Sequence, residues 1–194
     1  MTDGLTQFGV RPGDVIHVRS SSPYGWAIRK ALPGSWGNHD GNVVWNGEWM
    51  IAEALLGPGY VLTPWDEYRE RINAGKTSVA FFRPQVMGCE ISEIESLRVM
   101  MLACDLALKK PAYDWRAIVS IALNLALKTS VDRGREWEWY CTEVVALLFR
   151  MVNAVWDVWG EKNPTTYTTE KRHQSGRLKL VATVGVKPYG IGVT

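Results

Sequence analysis

Metal-binding patterns are missing from this chain. It has no Cys-x-x-Cys and no His-Glu-x-x-His, and its three histidines, His17, His39 and His173, are far apart in the sequence. No ligand cluster is written locally, so no metal is expected. Cysteine is scarce, with Cys89, Cys104 and Cys141 the only three in 194 residues. An odd count argues against a disulfide framework, and an N-terminus with Asp3 and no apolar run does not read as a secretory signal. A reducing compartment, the cytoplasm, is the expectation. Long apolar runs are absent as well. The longest, Ala117 to Leu127, is interrupted by Ser120 and Asn124 and is too short to span a bilayer. Charge of one sign is also lacking. The formal net charge is only +2, and the basic pairs Lys109-Lys110 and Lys171-Arg172 stand alone, so nucleic acid is not an expected partner. No repeat or linker divides the chain, and a single domain over 1–194 is expected.

Tryptophan, by contrast, is plentiful, with ten residues that either fill a core or line a cleft. Turn signals and alternating apolar residues predict strands at Val15–Val18, Asn42–Trp45, Trp49–Glu53, Tyr60–Leu62, Thr77–Phe82 (ending before Pro84) and Leu178–Val184. A short helix is predicted at Tyr24–Leu32. Another is predicted at Pro64–Ile72, with Thr63 as N-cap and Pro64 in the first helical position. The spacing of Ile94, Leu97, Met101, Cys104 and Leu108 predicts a helix with that stripe on the core. Further helices are predicted at Asp114–Leu127 and from Cys141 to about Val158. The polar run Asn163–Arg177 reads as a loop.

The chemistry points to Cys141. In Trp139-Tyr140-Cys141-Thr142-Glu143-Val144-Val145 an aromatic pair leads into a cysteine and an apolar helical stretch follows at once. A thiol at a helix N-terminus is favoured as thiolate by the helix dipole, and thiolate is the nucleophile. Asn38-His39-Asp40-Gly41 and Glu53, about a hundred residues earlier, supply a histidine and a carboxylate, the remaining parts of a thiol hydrolase. The hairpin around Asn46-Gly47 decides whether they meet. A two-residue turn puts Glu53 on the face opposite His39. A three-residue loop of Trp45-Asn46-Gly47, with Gly47 in the left-handed region, sets His39 directly across from Glu53. The sequence leaves both registers open.

These residues carry a resemblance. His39-x-Gly41 opening a Val-rich strand, Ile51-Ala52-Glu53-Ala54, Tyr113-Asp114, Tyr140-Cys141-Thr142-Glu143-Val144-Val145 and Gly13-Asp14-Val15-Ile16 resemble the circularly permuted NlpC-type cysteine hydrolases, the YiiX-like group. Asp40 and Asn42 stand where that group usually has apolar residues. The resemblance covers most of Arg11 to Phe149 and implies an α+β, circularly permuted papain-like fold, with an antiparallel sheet packed against helices. It implies hydrolysis or transfer at an amide or ester through an acyl-cysteine, with no metal or organic cofactor. Cys141 would be the nucleophile, His39 the base and Glu53 its orienting group. Tyr113 is either an oxyanion donor or a plain helix-start aromatic. Cell-wall stem peptides, small γ-glutamyl or aminoacyl amides and lipid acyl esters all remain open as substrates. His173, which follows Cys141 as in the unpermuted order, is a rival base in a polar run. A catalytically silent ligand-binding module on the same fold is the rival from another class.

Overall fold

The computed structural model describes residues 4–31, 35–109, 141–156, 166–187 and 189. Its strands are β1 (Val15–Ser20), β2 (His39–Trp45), β3 (Trp49–Leu55), β4 (Gly59–Pro64), β5 (Thr77–Val86), β6 (Cys89–Glu90) and β7 (Leu178–Val184). Its helices are α1 (Pro23–Ala31), α2 (Trp65–Asn73), α3 (Glu93–Lys109), α4 (Cys141–Val152) and α5 (Thr166–Gln174). The strands form one antiparallel sheet in the order β4-β3-β2-β1-β5-β6, and β7 also pairs with β5.

Alternation along the strands gives this sheet two buried faces. Ile16, Val18, Val43, Ile51, Val79 and Phe81 pack with Trp65, Tyr68 and Ile72 of α2. On the other face Val15, Val44, Ala52 and Phe82 pack with Val99 and Ala103 of α3 and with Val144, Val145, Leu148 and Phe149 of α4. Each large side chain buried this way contributes about 1.5–3 kcal/mol relative to exposure. At the start of β1, buried Asp14 takes two bonds from Arg83, at 2.9 and 2.8 Å, and one from the Arg11 backbone N–H at 3.0 Å. Gly13 before it has φ 89°, and a Cβ there would come within 2.4 Å of the Ser96 carbonyl oxygen. Gly13 therefore lets the start of β1 lie close against α3, while Asp14 ties it to β5 through Arg83.

Several expectations are corrected. The stripe on α3 faces outward: Ile94, Met101 and Leu108 are exposed, while Ser96, Val99, Ala103 and Ala107 are buried. Small residues bring the helix close to the sheet, so size outweighs the apolar periodicity. Cys104 lies at the edge of that contact and packs against the core. β5 runs on through Pro84 to Val86. Pro84 is paired with Leu178, and its carbonyl accepts from Ile91. Thr63 does not cap α2. The cap position is Pro64, without a side-chain bond, and Thr63 belongs to β4. The run read as a polar loop contains helix α5. The helix from Cys141 ends at Val152, short of Val158, and a 3-10 turn follows at Ala154–Trp156. The Asp114–Leu127 helix lies outside the described residues.

Candidate active site

Strand β2 brings His39 to the sheet's end, and the β2–β3 hairpin brings Glu53 beside it. The register differs from both predicted turns. Trp45 pairs with Trp49, so Gly41 lies opposite Glu53 and His39 is one diagonal step away. The loop is Asn46-Gly47-Glu48, one residue later than expected, with Gly47 at φ 79°. Sliding a three-residue loop by one position shifts the pairing by two, which preserves the face. Glu53 therefore reaches His39 across a glycine that offers no side chain. The His39 Nε2 to Glu53 Oε2 distance is 2.6 Å. A Cβ at Gly41 would lie 2.8 Å from the Ala52 carbonyl oxygen and 3.3 Å from the Glu53 Cβ.

Glu53 is buried, and Tyr68 on α2 donates to its Oε2 at 2.6 Å. Burial pushes this carboxyl's pKa up, but His39, Thr63 and Tyr68 together outweigh it and hold the pKa below its usual value. The Tyr68 hydroxyl moves the other way. Burial and the neighbouring Glu53 charge raise its pKa well above the usual phenol value, so it stays a neutral donor. Tyr68 was not singled out from the sequence, and Thr63 only as a helix cap. The aromatic position of Tyr68 on a helix is what any core residue shows, and only packing aims its hydroxyl at Glu53.

Cys141 opens α4 and is 6% exposed. Its thiol is close enough to the His39 imidazole to act on the charge of the ring. Burial disfavours the imidazolium, but Cys141 and Glu53 outweigh burial and raise the His39 pKa well above its ordinary value. Three of the four residues singled out thus come together, His39 bonded to Glu53 and influenced by Cys141. Tyr113 lies outside the described residues. His173 sits apart on α5. Its Nδ1 donates to the Leu178 carbonyl at 2.8 Å and its ring packs 5.1 Å from that of Phe82, so it is not the freely solvated side chain the polar run suggested.

A pocket of ≈ 330 Å³ opens at His39, Glu53 and Tyr68. Val18, Ile28, Leu55, Leu56 and Pro58 give it apolar walls, and Arg71 lies on its rim. The chain before His39 is held by Asn38, whose Oδ1 accepts from the Ser20 N–H at 2.8 Å and from Arg29 Nη1 at 2.8 Å.

A second polar cluster lies on the other face of the sheet. His17 pairs with Asp40 across β1 and β2, and its Nδ1 is 2.6 Å from Asp40 Oδ1. Its Nε2 is 3.1 Å from Glu170 Oε1 on α5. That oxygen also accepts from Ser35 Oγ at 3.0 Å and from the backbone N–H groups of Trp36 and Gly37. Burial works against a charge on His17, but Asp40 and Glu170 overcome it and raise the pKa to about 9. The sequence signal for this cluster is alternation. His17 shares a face with Val15, and a polar residue at a core position needs a partner.

No protein-family model matches the chain, and no curated protein matches it. Among solved structures it is similar to the metalloprotein YiiX from Escherichia coli O157:H7. The TM-score is 0.58 and the identity 19%, covering 91% of this chain and 98% of that one. The chain therefore has a YiiX-like fold, a mixture of helices and antiparallel sheet. Among the described residues no three His, Cys, Asp or Glu converge on a point where a metal ion would sit. His39 Nε2 is taken by Glu53, and both ring nitrogens of His17 are taken, by Asp40 and Glu170. These residues do not fit a metal site. No described helix is long and apolar enough to cross a membrane.

Proposed function

We propose that this chain is a cysteine hydrolase or acyltransferase of the circularly permuted papain-like kind, acting on an amide or ester through an acyl-cysteine. The observation that carries the reading is His39 bonded to Glu53 and close enough to Cys141 to interact with it, with the thiol at a helix start. In this reading the Cys141 sulfur attacks the carbonyl carbon while its proton resides on His39. The C–N or C–O bond of the tetrahedral intermediate then breaks, and His39 returns the proton to the leaving amine or alkoxide. Water or another acceptor, deprotonated by His39, attacks the thioester and releases the acyl group and the thiol. Glu53 keeps the ring oriented and stabilises its charged form. The backbone N–H of Cys141 and the Tyr113 hydroxyl are the proposed donors to the oxyanion, each such donor being worth about 2.7–4 kcal/mol in other enzymes. The apolar pocket beside His39 is the proposed seat for a substrate's apolar portion, which ranks small or peptide-like substrates with an apolar side chain or acyl group above strongly charged ones.

The test is incubation with a panel of peptide amides and acyl esters, with and without chelator, followed by intact-mass analysis. Turnover or a trapped adduct on Cys141, insensitive to chelator and lost in Cys141→Ala, is the expected result. His39→Ala should slow alkylation of Cys141 at pH 7 by about tenfold or more, and His173→Ala should leave it near wild type. Ligand binding with neither turnover nor adduct would favour the silent binding module. Activity that chelator abolishes and Cys141→Ala retains would sink the hydrolase reading.

A further inference from the structure

We propose that Thr142 is a positioning residue for Cys141: its bond to Asp40 locks the start of α4 on β2 and so holds the thiol against His39. This inference rests on the cysteine-nucleophile reading above. His39 and Asp40 are consecutive in a strand and project to opposite faces of the sheet. Cys141 and Thr142 are consecutive at the helix start. Thr142 Oγ1 donates to Asp40 Oδ2 at 2.5 Å while Cys141, the preceding residue, interacts with His39, so consecutive residues of the helix start meet consecutive residues of the strand.

A single thiol–imidazole contact leaves the helix free to pivot about it, and the second contact removes that freedom. The rest of α4 grips the sheet through Val144, Val145, Leu148 and Phe149. Apolar contacts are non-directional and leave the orientation of the helix start to polar contacts. A hydrogen bond to a carboxylate is directional and about twice as strong as one between neutral groups. The difference matters because a displacement of about 1 Å at a reacting group can cost about a hundredfold in rate.

Asp40 is itself immobilised. Its Oδ1 is 2.6 Å from His17 Nδ1, and its Oδ2 also accepts from Thr169 Oγ1 at 3.1 Å. Asp40, His17, Thr142 and Thr169 are all fully buried. His17 continues the chain to Glu170, which binds the Ser35–Gly37 segment. Gly37 lies against the imidazole so closely that a Cβ there would be 2.4 Å from His17 Nε2. The latch on Cys141 is thus built into the cluster on the far face of the sheet.

The measurement is the rate of Cys141 alkylation by iodoacetamide from pH 5.5 to 9.5, with circular dichroism to confirm folding. Thr142→Val keeps the volume and loses the hydroxyl, whereas Thr142→Ser keeps the hydroxyl and loses the methyl group. A latch predicts that wild type and Thr142→Ser label rapidly at pH 6.5. It predicts that Thr142→Val labels about tenfold or more slowly there and recovers only near pH 8.5, where an ordinary thiol ionises. A packing role predicts the reverse order. Rapid labelling of folded Thr142→Val at pH 6.5, or Thr142→Ser as slow as Thr142→Val, would overturn the latch and leave the hydrolase reading standing. A wild type with no rapid labelling at pH 6.5 would overturn both. Should Thr142→Val fail to fold, Thr142→Ser and Thr142→Ala carry the same contrast. Serine fast with alanine slow supports the latch; any other pattern overturns it.

Discussion

His39 and His17 lie on paired strands, and each has a carboxylate oxygen 2.6 Å from a ring nitrogen. Both imidazoles are more basic than usual because neighbouring negative charge outweighs burial. They differ in what the second nitrogen meets and in access. The His39 side chain is 15% exposed, borders a pocket and faces a thiol. That of His17 is fully buried and faces a second carboxylate, Glu170. A histidine between two acids is an ion held for structure. A histidine between an acid and a thiol, with an opening beside it, has the arrangement a proton-transfer group needs. Residue types alone do not separate the two.

The comparison can be broken most sharply at the thiol. Cys141→Ala should abolish the covalent adduct entirely under conditions that label wild type, as read by intact mass. Labelling that persists on Cys89 or Cys104 at the wild-type rate would remove the distinction between the two histidines. Next in size is His17→Leu. It strips the cation from two buried carboxylates, and breaking a buried pair in this way costs about 3–5 kcal/mol. A urea midpoint close to wild type would show that the His17 cluster does not carry stability.

The pH dependence follows with its sign. The folded pKa of His17, about 9, lies above the unfolded value near 6.5. The folded state therefore holds the proton more tightly. The resulting stability is fully present below about pH 6.5 and is lost as pH rises through about 9, an effect on the order of 3 kcal/mol. Urea unfolding between pH 6 and 9.5 checks this. Wild type should lose stability across that range, with the His39 contribution in the same direction, and His17→Leu should lose less. The smallest expected effect is that of Tyr68→Phe, which removes one of the donors to Glu53 and should cost about 1–3 kcal/mol of stability. It should lower the rate of Cys141 alkylation less than His39→Ala does. A larger loss than in His39→Ala would mean that Tyr68 has a more direct part in the chemistry.

Much of this arrangement was legible because it is local. A cysteine followed immediately by an apolar helical run placed the thiol at a helix start. Alternation placed β1, β2 and β3, and a glycine in the hairpin turn allowed the left-handed φ. Face parity in the β2–β3 hairpin survived although the loop slid by one residue, because parity depends only on whether the shift is even. Other features came from contacts between distant segments. Glu170 meets His17 across 153 positions, and Thr142 meets Asp40 across 102. The buried face of α3 was set by how closely small residues let it approach the sheet rather than by its own periodicity. Sequence by itself determined the parts and their chemistry: one thiol at a helix start and a histidine and acid in a hairpin. Which histidine lies near the thiol, and which is locked between carboxylates, was decided only when tertiary packing put α4 across β2 and brought Glu170 of α5 to His17 on β1. The physical reason is that charge and hydrogen bonding act over a few ångströms of space, whatever the separation along the chain.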